Sequence, residues 1–349
     1  MISKALEGGM TEKTIIHINL ASDFGGGEVQ TLNLIANLPN YRQLVLGRKG
    51  KPFSLKASET FQSSRIEVVG FWRALSTSIM HKDVLIHAHD GRGCHLARLI
   101  SLLSSKPYII SRRVDKALSG KGSAKTYQNA CCLVAVSKKV AENIRHLNRN
   151  ITIVHDSYSN LPSSTDVEQQ LIELKHKFVV TQLGSLIDIK NTTFTLDLAK
   201  QLQASHPNIH FLIVGKGKEE IHLRQLSINL ANVTFFGFTP FVGSILQRTD
   251  ALIMPSKSEG LGSAVLEAYQ HDTPVITSKV GGLPEIVQHG KTGYLVDILD
   301  CREAKHHLVR LTTDYAKYRE LQQNIQAVKQ QYSPEHMAEK YISCYEQVF

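Results

Sequence analysis

Two glutamates eight positions apart frame the stretch richest in possible chemistry, Ser258-Glu259-Gly260-Leu261-Gly262-Ser263-Ala264-Val265-Leu266-Glu267-Ala268. Gly260 and Gly262 let backbone come close to a ligand, and a helix starting there offers unpaired N–H groups and a positive dipole end that suit a phosphate. A helical rise of ~1.5 Å per residue would separate the two carboxylates by roughly 12 Å. Carboxylates that act together on one glycosidic bond sit about 5–10 Å apart, so a hydrolase pair is not expected. The spacing suits one elongated ligand, with Glu267 at one end and Glu259 nearer the other. It is met equally by a solvated helix glutamate and a turn glutamate acting as a cap.

Apolar segments flank this stretch, Ala251-Leu252-Ile253-Met254 before it and Pro274-Val275-Ile276-Thr277 after it, so it reads as strand, glycine-rich turn, helix, strand. The same alternation runs through residues 178–183, a helix over about 192–204, residues 209–214, a helix near 218–230, and residues 233–236. Such alternation implies a parallel sheet covered on both faces. The first half shows it too: a buried strand from Thr14 to Leu20, the glycines Gly25, Gly26 and Gly27, then a helix from Val29 to Leu38. A triple glycine after a first strand could cradle phosphate, but the regular dinucleotide fingerprint and its ribose-binding acid are missing, since Val45-Leu46-Gly47-Arg48 closes the second strand without an acid. Strands near 84–88 and 107–112 end in polar residues, at the place where open α/β sheets bind ligands. His89, Asp90, Arg112, Arg113 and Asp115 are therefore candidates for one wall of a site, whereas His87 reads as a hydrogen-bonded core or rim histidine.

At 349 residues with 42% hydrophobic composition, the chain has the length of two domains and is neither disordered nor fibrous. It has no run of eighteen apolar residues and no signal-peptide layout, so a cytoplasmic location is expected. Residues 1–160 carry 22 Lys and Arg against 11 Asp and Glu, while 161–349 carry 18 against 20, a net of +11 against −2. That asymmetry points to an anionic partner for the first half, be it a membrane surface, a phosphorylated glycolipid or nucleic acid. The five cysteines form no metal-ligand spacing, and their odd count argues against a disulfide framework. Residues 1–13 read as a loose tail in which Met10 could be an alternative start, and the polar run from Asp156 to Ser164 reads as a hinge. Arg302–Gln331 reads as one charged covering helix, and Ser333-Pro334-Glu335 opens a last helix with an aromatic stripe.

Over nearly its whole length, most strongly over 250–296 and more weakly over 14–160, the chain resembles family 4 retaining glycosyltransferases of the GT-B fold. The resemblance is carried by Pro255-Ser256-Lys257-Ser258-Glu259-Gly260-Leu261-Gly262 through Glu267-Ala268, by Thr273-Pro274-Val275-Ile276, by Gly281-Gly282-Leu283-Pro284-Glu285-Ile286-Val287, and by Gly290-Lys291-Thr292-Gly293-Tyr294-Leu295-Val296. It implies two Rossmann-like domains, 14–165 for the acceptor and 166–332 for the nucleotide sugar, with a helix over 333–349 crossing back to the first. In that family the glutamate matching Glu267 holds the ribose hydroxyls, and the residues matching Glu259, Gly260, Leu261 and Gly262 lie at the donor sugar. Lys190 matches a cation that grips the donor diphosphate. Ser185, after Gly184, stands where the family usually has an arginine, and Arg113 stands near a usual histidine. Turns matching Gly215, Gly237 and Phe238 line the nucleotide, and the loop matching Gly26 and Gly27 faces the acceptor. The first half looks like enzymes of lipopolysaccharide core or surface polysaccharide synthesis.

The resemblance thus implies hexose transfer, with retention, from a nucleoside diphosphate sugar, a UDP-sugar first, to an anionic glycolipid or saccharide. The site would use no cofactor and, with no Asp-x-Asp ligand pair in the chain, no metal. The basic first half would rest on the inner membrane face, and no nucleic acid is expected as partner. A non-catalytic nucleotide-sugar-binding module and a nicotinamide-dependent oxidoreductase are the rival readings.

Overall fold

The computed structural model describes residues 12–118 and 120–349. Of the tail expected over 1–13, residues 1–11 lie outside the described residues. The first half alternates β1 (Thr14–Asn19), α1 (Gly26–Ala36), β2 (Arg42–Gly47), α2 (Pro52–Thr60), β3 (Ile66–Val69), α3 (Phe71–Met80), β4 (Val84–Ala88), α4 (Gly91–Ser104), β5 (Tyr108–Arg112), α5 (Lys121–Gln128), β6 (Cys132–Ala135), α6 (Lys138–Ile144) and β7 (Ile151–Ile153). After α7 (Thr165–Gln170) come β8 (Phe178–Leu183), α8 (Thr192–Leu202), β9 (Ile209–Val214), α9 (Glu220–Leu226), β10 (Val233–Gly237), α10 (Val242–Gln247), β11 (Ala251–Met254), α11 (Ser263–Gln270), β12 (Val275–Ser278), α12 (Leu283–Ile286) and β13 (Gly293–Val296). Three helices close the chain: α13 (Cys301–Thr313), α14 (Tyr315–Val328) and α15 (Pro334–Glu346).

Strands such as β1 and β9 are buried along their whole length, which is what two-faced cover by helices demands and why they read as unbroken apolar runs. The first sheet has seven strands in the order β3-β2-β1-β4-β5-β6-β7, the second six in the order β10-β9-β8-β11-β12-β13. All named pairings are parallel, with Ile16 beside Leu44 and Ile86, and Val180 beside Phe211 and Ala251. The order of strand addition reverses once in each sheet, between β1 and β4 and between β8 and β11. Crevices at such reversals are where α/β sheets hold ligands, and here they bring the turn after β8 beside the turn after β11.

One apolar cluster spans both domains, joining Ile18, Ile86 and Ile110 of the first to Leu261, Val265, Tyr269 and Leu283 of the second. The last helix returns to the first domain, where Met337, Ala338, Tyr341, Cys344 and Tyr345 pack on Ile15, Leu34, Leu85, Ile109 and Val134. Its start is fixed by Ser333, whose hydroxyl accepts from the His336 N–H, and by Pro334 in the first turn.

Three sequence expectations change. The helix expected from Val29 begins at Gly26, because the Glu28 carboxylate accepts from the Gly25 N–H and turns the glycines into a first helical turn. The single helix expected over Arg302–Gln331 is two, since the Asp314 side chain accepts from the Lys317 N–H and starts a new helix. The segment from Pro52 to Met80, unassigned above, holds α2, β3 and α3.

Candidate active site

A cavity of about 390 Å³ lies between the domains. Its second-domain wall is made by the turn after β8, with Gly184, Ser185 and Lys190, and by the turn after β11, with Glu259, Gly260, Leu261 and Gly262. Backbone ties the turns together, the Lys257 N–H donating to the Ile189 carbonyl at 2.8 Å. Lys190 Nζ lies 2.5 Å from Glu259 Oε1, and Ser256 Oγ donates to that same oxygen at 2.7 Å. The carboxylate of Glu259 is thus held at the cavity wall by two donors. Glu259 and Lys190, which the resemblance assigns to the donor sugar and the donor diphosphate, form a direct ion pair.

Gly262 caps α11 at φ +103°, a left-handed conformation that side chains rarely adopt, and a Cβ there would come within 2.5 Å of Leu283. The helix therefore starts at Ser263, after Glu259, and the ~12 Å rise estimated for a continuous helix does not apply. The first turn of α11 points its free N–H groups at the cavity, with Ser263 and Ala264 in the lining. Glu267 lines the cavity one turn further along, with no hydrogen-bond or ion-pair partner among the described residues. It keeps part of its surface open to the cavity, yet loss of hydration pushes its pKa up to about 7.

The remaining nucleotide-side residues lie in the neighbouring turns and do not line this cavity. Gly215, at φ +142°, stacks so closely that a Cβ would sit 1.8 Å from the Gly184 carbonyl oxygen, and its N–H donates to the Gly237 carbonyl at 2.9 Å. Phe238 follows, 66% exposed, with the Lys216 ammonium 4.8 Å above its ring. It offers a flat apolar surface at the rim.

The first-domain wall consists of Gly26, Gly27, Val29, Gln30, Arg113 and Asp156. Arg113 Nε donates to Asp156 Oδ1 at 2.9 Å and Nη2 lies 3.4 Å from the Tyr341 hydroxyl, while the buried Nη1 has no partner. Burial pushes Asp156 up and Arg113 pulls it back down. Four acceptor-side candidates lie outside this cavity. Arg112 turns away to donate to the Lys116 carbonyl and, at 3.2 Å, to the Tyr127 hydroxyl, so the two adjacent arginines do not act together. Asp90 caps α4, accepting from Arg92 and Gly93 N–H groups and from Leu20 N at 2.7 Å. Asp115 accepts from Asn143 Nδ2 at 2.6 Å, and His89 is buried against His17.

His17, His87 and His89 bring three imidazoles together in the core, with possible metal-ligating atoms within 4.8 Å of one another. Most of their ring nitrogens are already committed: His17 to Gln43 and His89, His87 to the Tyr345 hydroxyl at 2.8 Å and Ser111 Oγ at 2.7 Å. Only His89 Nδ1 is left over. Burial lowers His17 to about 3 and holds the other two well below the usual imidazole range, so the trio is a neutral hydrogen-bonded network. Through Ser111 and Tyr341 it reaches Arg113 and so supports the cavity wall.

Sequence reading missed two contacts that shape the cleft. The Gln30 side chain bonds both the N–H and the carbonyl of Ser157, at 2.9 and 2.7 Å, which anchors the segment carrying Asp156. Glu285 of the second domain accepts from the Lys138 and Lys139 N–H groups at 2.8 and 3.2 Å, capping α6 of the first domain from across the cleft. Neither has a local signal; the partners lie 127 and about 147 residues apart in sequence.

Two facing Rossmann-like domains, a cleft between their switch points and a last helix that crosses back define the GT-B class of glycosyltransferases. Residues 164–328 match the model of the family "glycosyl transferases group 1". Over 223 residues the chain is 26% identical to N-acetyl-alpha-D-glucosaminyl L-malate synthase of Bacillus anthracis, covering 61% of this chain and 58% of that protein. Over 257 residues it is 24% identical to UDP-Gal:alpha-D-GlcNAc-diphosphoundecaprenol alpha-1,3-galactosyltransferase of Escherichia coli, covering 66% of each. These matches span less than two thirds of the relatives' own length. Anabaena HepE, solved in complex with UDP and glucose, shares the fold with a TM-score of 0.82 at 18% identity, over 96% of this chain and all of that one.

Proposed function

We propose that the protein is a retaining, metal-independent glycosyltransferase that moves a hexose-type sugar from a nucleoside diphosphate donor, a UDP-sugar first. The acceptor is an anionic glycolipid or saccharide at the inner membrane face, in lipopolysaccharide or surface-glycan synthesis. The observation that carries this reading is the unpartnered Glu267 carboxyl, on a helix whose N-terminus opens on the same cavity as Lys190. A carboxylate can accept two hydrogen bonds from a vicinal diol such as that of ribose. One turn away, the N–H groups of α11 and the Lys190 ammonium suit a diphosphate and supply charge to the leaving group as the sugar departs. Ser185 adds a hydroxyl in place of the family's arginine. Glu259, braced by Lys190 and Ser256, faces the space left for the sugar, and Gly26, Gly27 and Arg113 form the wall from which an acceptor hydroxyl approaches.

Related proteins support the donor class: the E. coli relative is named for UDP-galactose, and HepE was solved with UDP. Thermal shift with UDP, GDP, ADP and their sugar conjugates, with and without EDTA, tests the reading, because a ligand that binds only the native state raises Tm. A shift with UDP or a UDP-sugar that survives EDTA and disappears in Glu267→Ala is expected. No shift with any nucleotide at saturating concentration, or one abolished by EDTA, would overturn the donor assignment or the metal-free site respectively.

A further inference from the structure

Two helices of the first domain, α3 and α4, turn large apolar side chains to solvent. On α3 Trp72 is 78%, Ile79 59% and Met80 68% exposed, and on α4 Leu99 is 46%, Leu102 69% and Leu103 55% exposed. Trp72 and Ile79 are two helical turns apart on one stripe, and Leu99, Leu102 and Leu103 share another. The helices pack against one another, while Phe71, Leu75 and Leu96 sink toward the core beneath them. The exposed residues are therefore the outer surface of a packed pair.

The electrostatic setting of this face is one-sided. Neither helix contains an acidic residue, and they carry Arg73, Arg92 and Arg98. At their C-terminal ends Lys106 Nζ donates to the Lys82 carbonyl at 2.9 Å, which sets two lysines together beside His81. Among the described residues neither ammonium is within ion-pair distance of a carboxylate, whereas Glu67 is shared by Arg42 and Arg73 and Asp90 is consumed as the cap of α4. An apolar patch of this exposure marks an interaction surface, and the cations on and beside two helices that carry no acid select the partner. Tryptophan and leucine on one side with cations at the ends is the composition of helices that lie in a membrane interface, and anionic headgroups attract such cations.

We infer that α3 and α4 form the face by which the protein lies on an anionic lipid bilayer, the apolar stripes entering the headgroup region and Lys82 and Lys106 meeting lipid phosphates. This gives the membrane contact of the proposed function a definite surface and stands apart from the sugar chemistry.

Trp72 is the chain's single tryptophan, so its emission reports on this face alone. Vesicles of phosphatidylglycerol and phosphatidylethanolamine should shift that emission to the blue, expose it to quenching by brominated lipid and pellet the protein, with the effect weakening as salt rises. Pure phosphatidylcholine vesicles should do little. Ile79→Glu with Leu103→Glu should weaken the partition roughly tenfold for each apolar chain removed, and Lys82→Glu with Lys106→Glu should abolish the preference for anionic lipid. Both variants should keep the Tm rise given by UDP, which shows an intact donor site. The inference is overturned if anionic vesicles at high lipid leave Trp72 emission and pelleting unchanged, or if the Ile79 and Leu103 variant binds as the parent does. It is overturned equally if the emission is already blue without lipid and the protein sediments as a dimer that the same variant splits, for then a second copy covers the face. Vesicle binding that survives while UDP gives no Tm rise would sink the donor reading and leave this surface standing.

Discussion

Glu267 must be ionised to accept both hydrogens of a diol, yet its site holds its pKa near 7. Two outcomes follow from that conflict. Binding of UDP-glucose should tighten as pH rises from 6 to 8, and calorimetry in buffers of different ionisation enthalpy should show a proton released on binding at pH 6.5. In the free protein the sign is opposite. A carboxyl with a raised folded pKa stabilises fully below its ordinary value near 4.5 and loses that contribution as pH rises through about 7. Glu267→Gln should therefore be more stable than the parent at pH 8, by on the order of 2 kcal/mol once water in the open cavity is allowed for, and equal to it near pH 4.5, as urea melts at the two pH values would show. Lys190→Ala should weaken UDP about ten- to a hundredfold in titration calorimetry, the worth of one charge-assisted contact of roughly 1.5–3 kcal/mol. Such residues were legible in the sequence because the glycines, Glu259 and Glu267 follow one another within a dozen positions. Arg113 was legible as a wall residue but its partner Asp156 was not: the pair forms between two strand ends 43 residues apart, and only the fold states that distance.

The turns rest on glycine in a way that single residues do not reveal. Gly281 lies at φ +54° with the Glu259 carbonyl 1.7 Å from where a Cβ would stand, so the loop after β12 leans its bare backbone on the loop after β11. Gly281→Ala should cost about 3 kcal/mol or more in a urea melt and should also weaken UDP binding, because the backbone that must move is that of Glu259. The strand-turn-helix units of the second domain were readable because each turn announces itself with glycine between apolar runs. Where that punctuation fails, so does the reading. Gly25 to Gly27 look like a loop and are a helix start, since Glu28 supplies the cap that the glycines lack. The stretch 302–331 keeps a helical period on both sides of Asp314, and nothing in the period marks which acid folds back as a cap. Helix α3 did carry the period, in Trp72, Leu75 and Ile79, but period alone does not say which way a stripe faces, and much of this one faces solvent.

Across the whole molecule the domains are held closed by few polar contacts laid over an apolar seam. Glu285 on α12 caps α6 of the other domain, so one carboxylate satisfies helix N–H groups that would otherwise face the gap. Glu285→Gln removes that charge and should widen the closed form, raising the radius of gyration of the free protein in small-angle scattering and weakening UDP by about five- to thirtyfold, for a loss of ~1–2 kcal/mol. The two-domain plan and the returning helix were implied by family resemblance; the latch was not, because a glutamate in a short helix carries no mark of a partner in another domain. The returning helix bears on how the chain is made. Ile15, Leu34, Leu85 and Val134 leave the ribosome about two hundred residues or more before the surface that covers them, Met337 to Tyr345. The second domain, synthesised in between, must therefore fold beside an uncovered apolar sheet whose lid is still unmade.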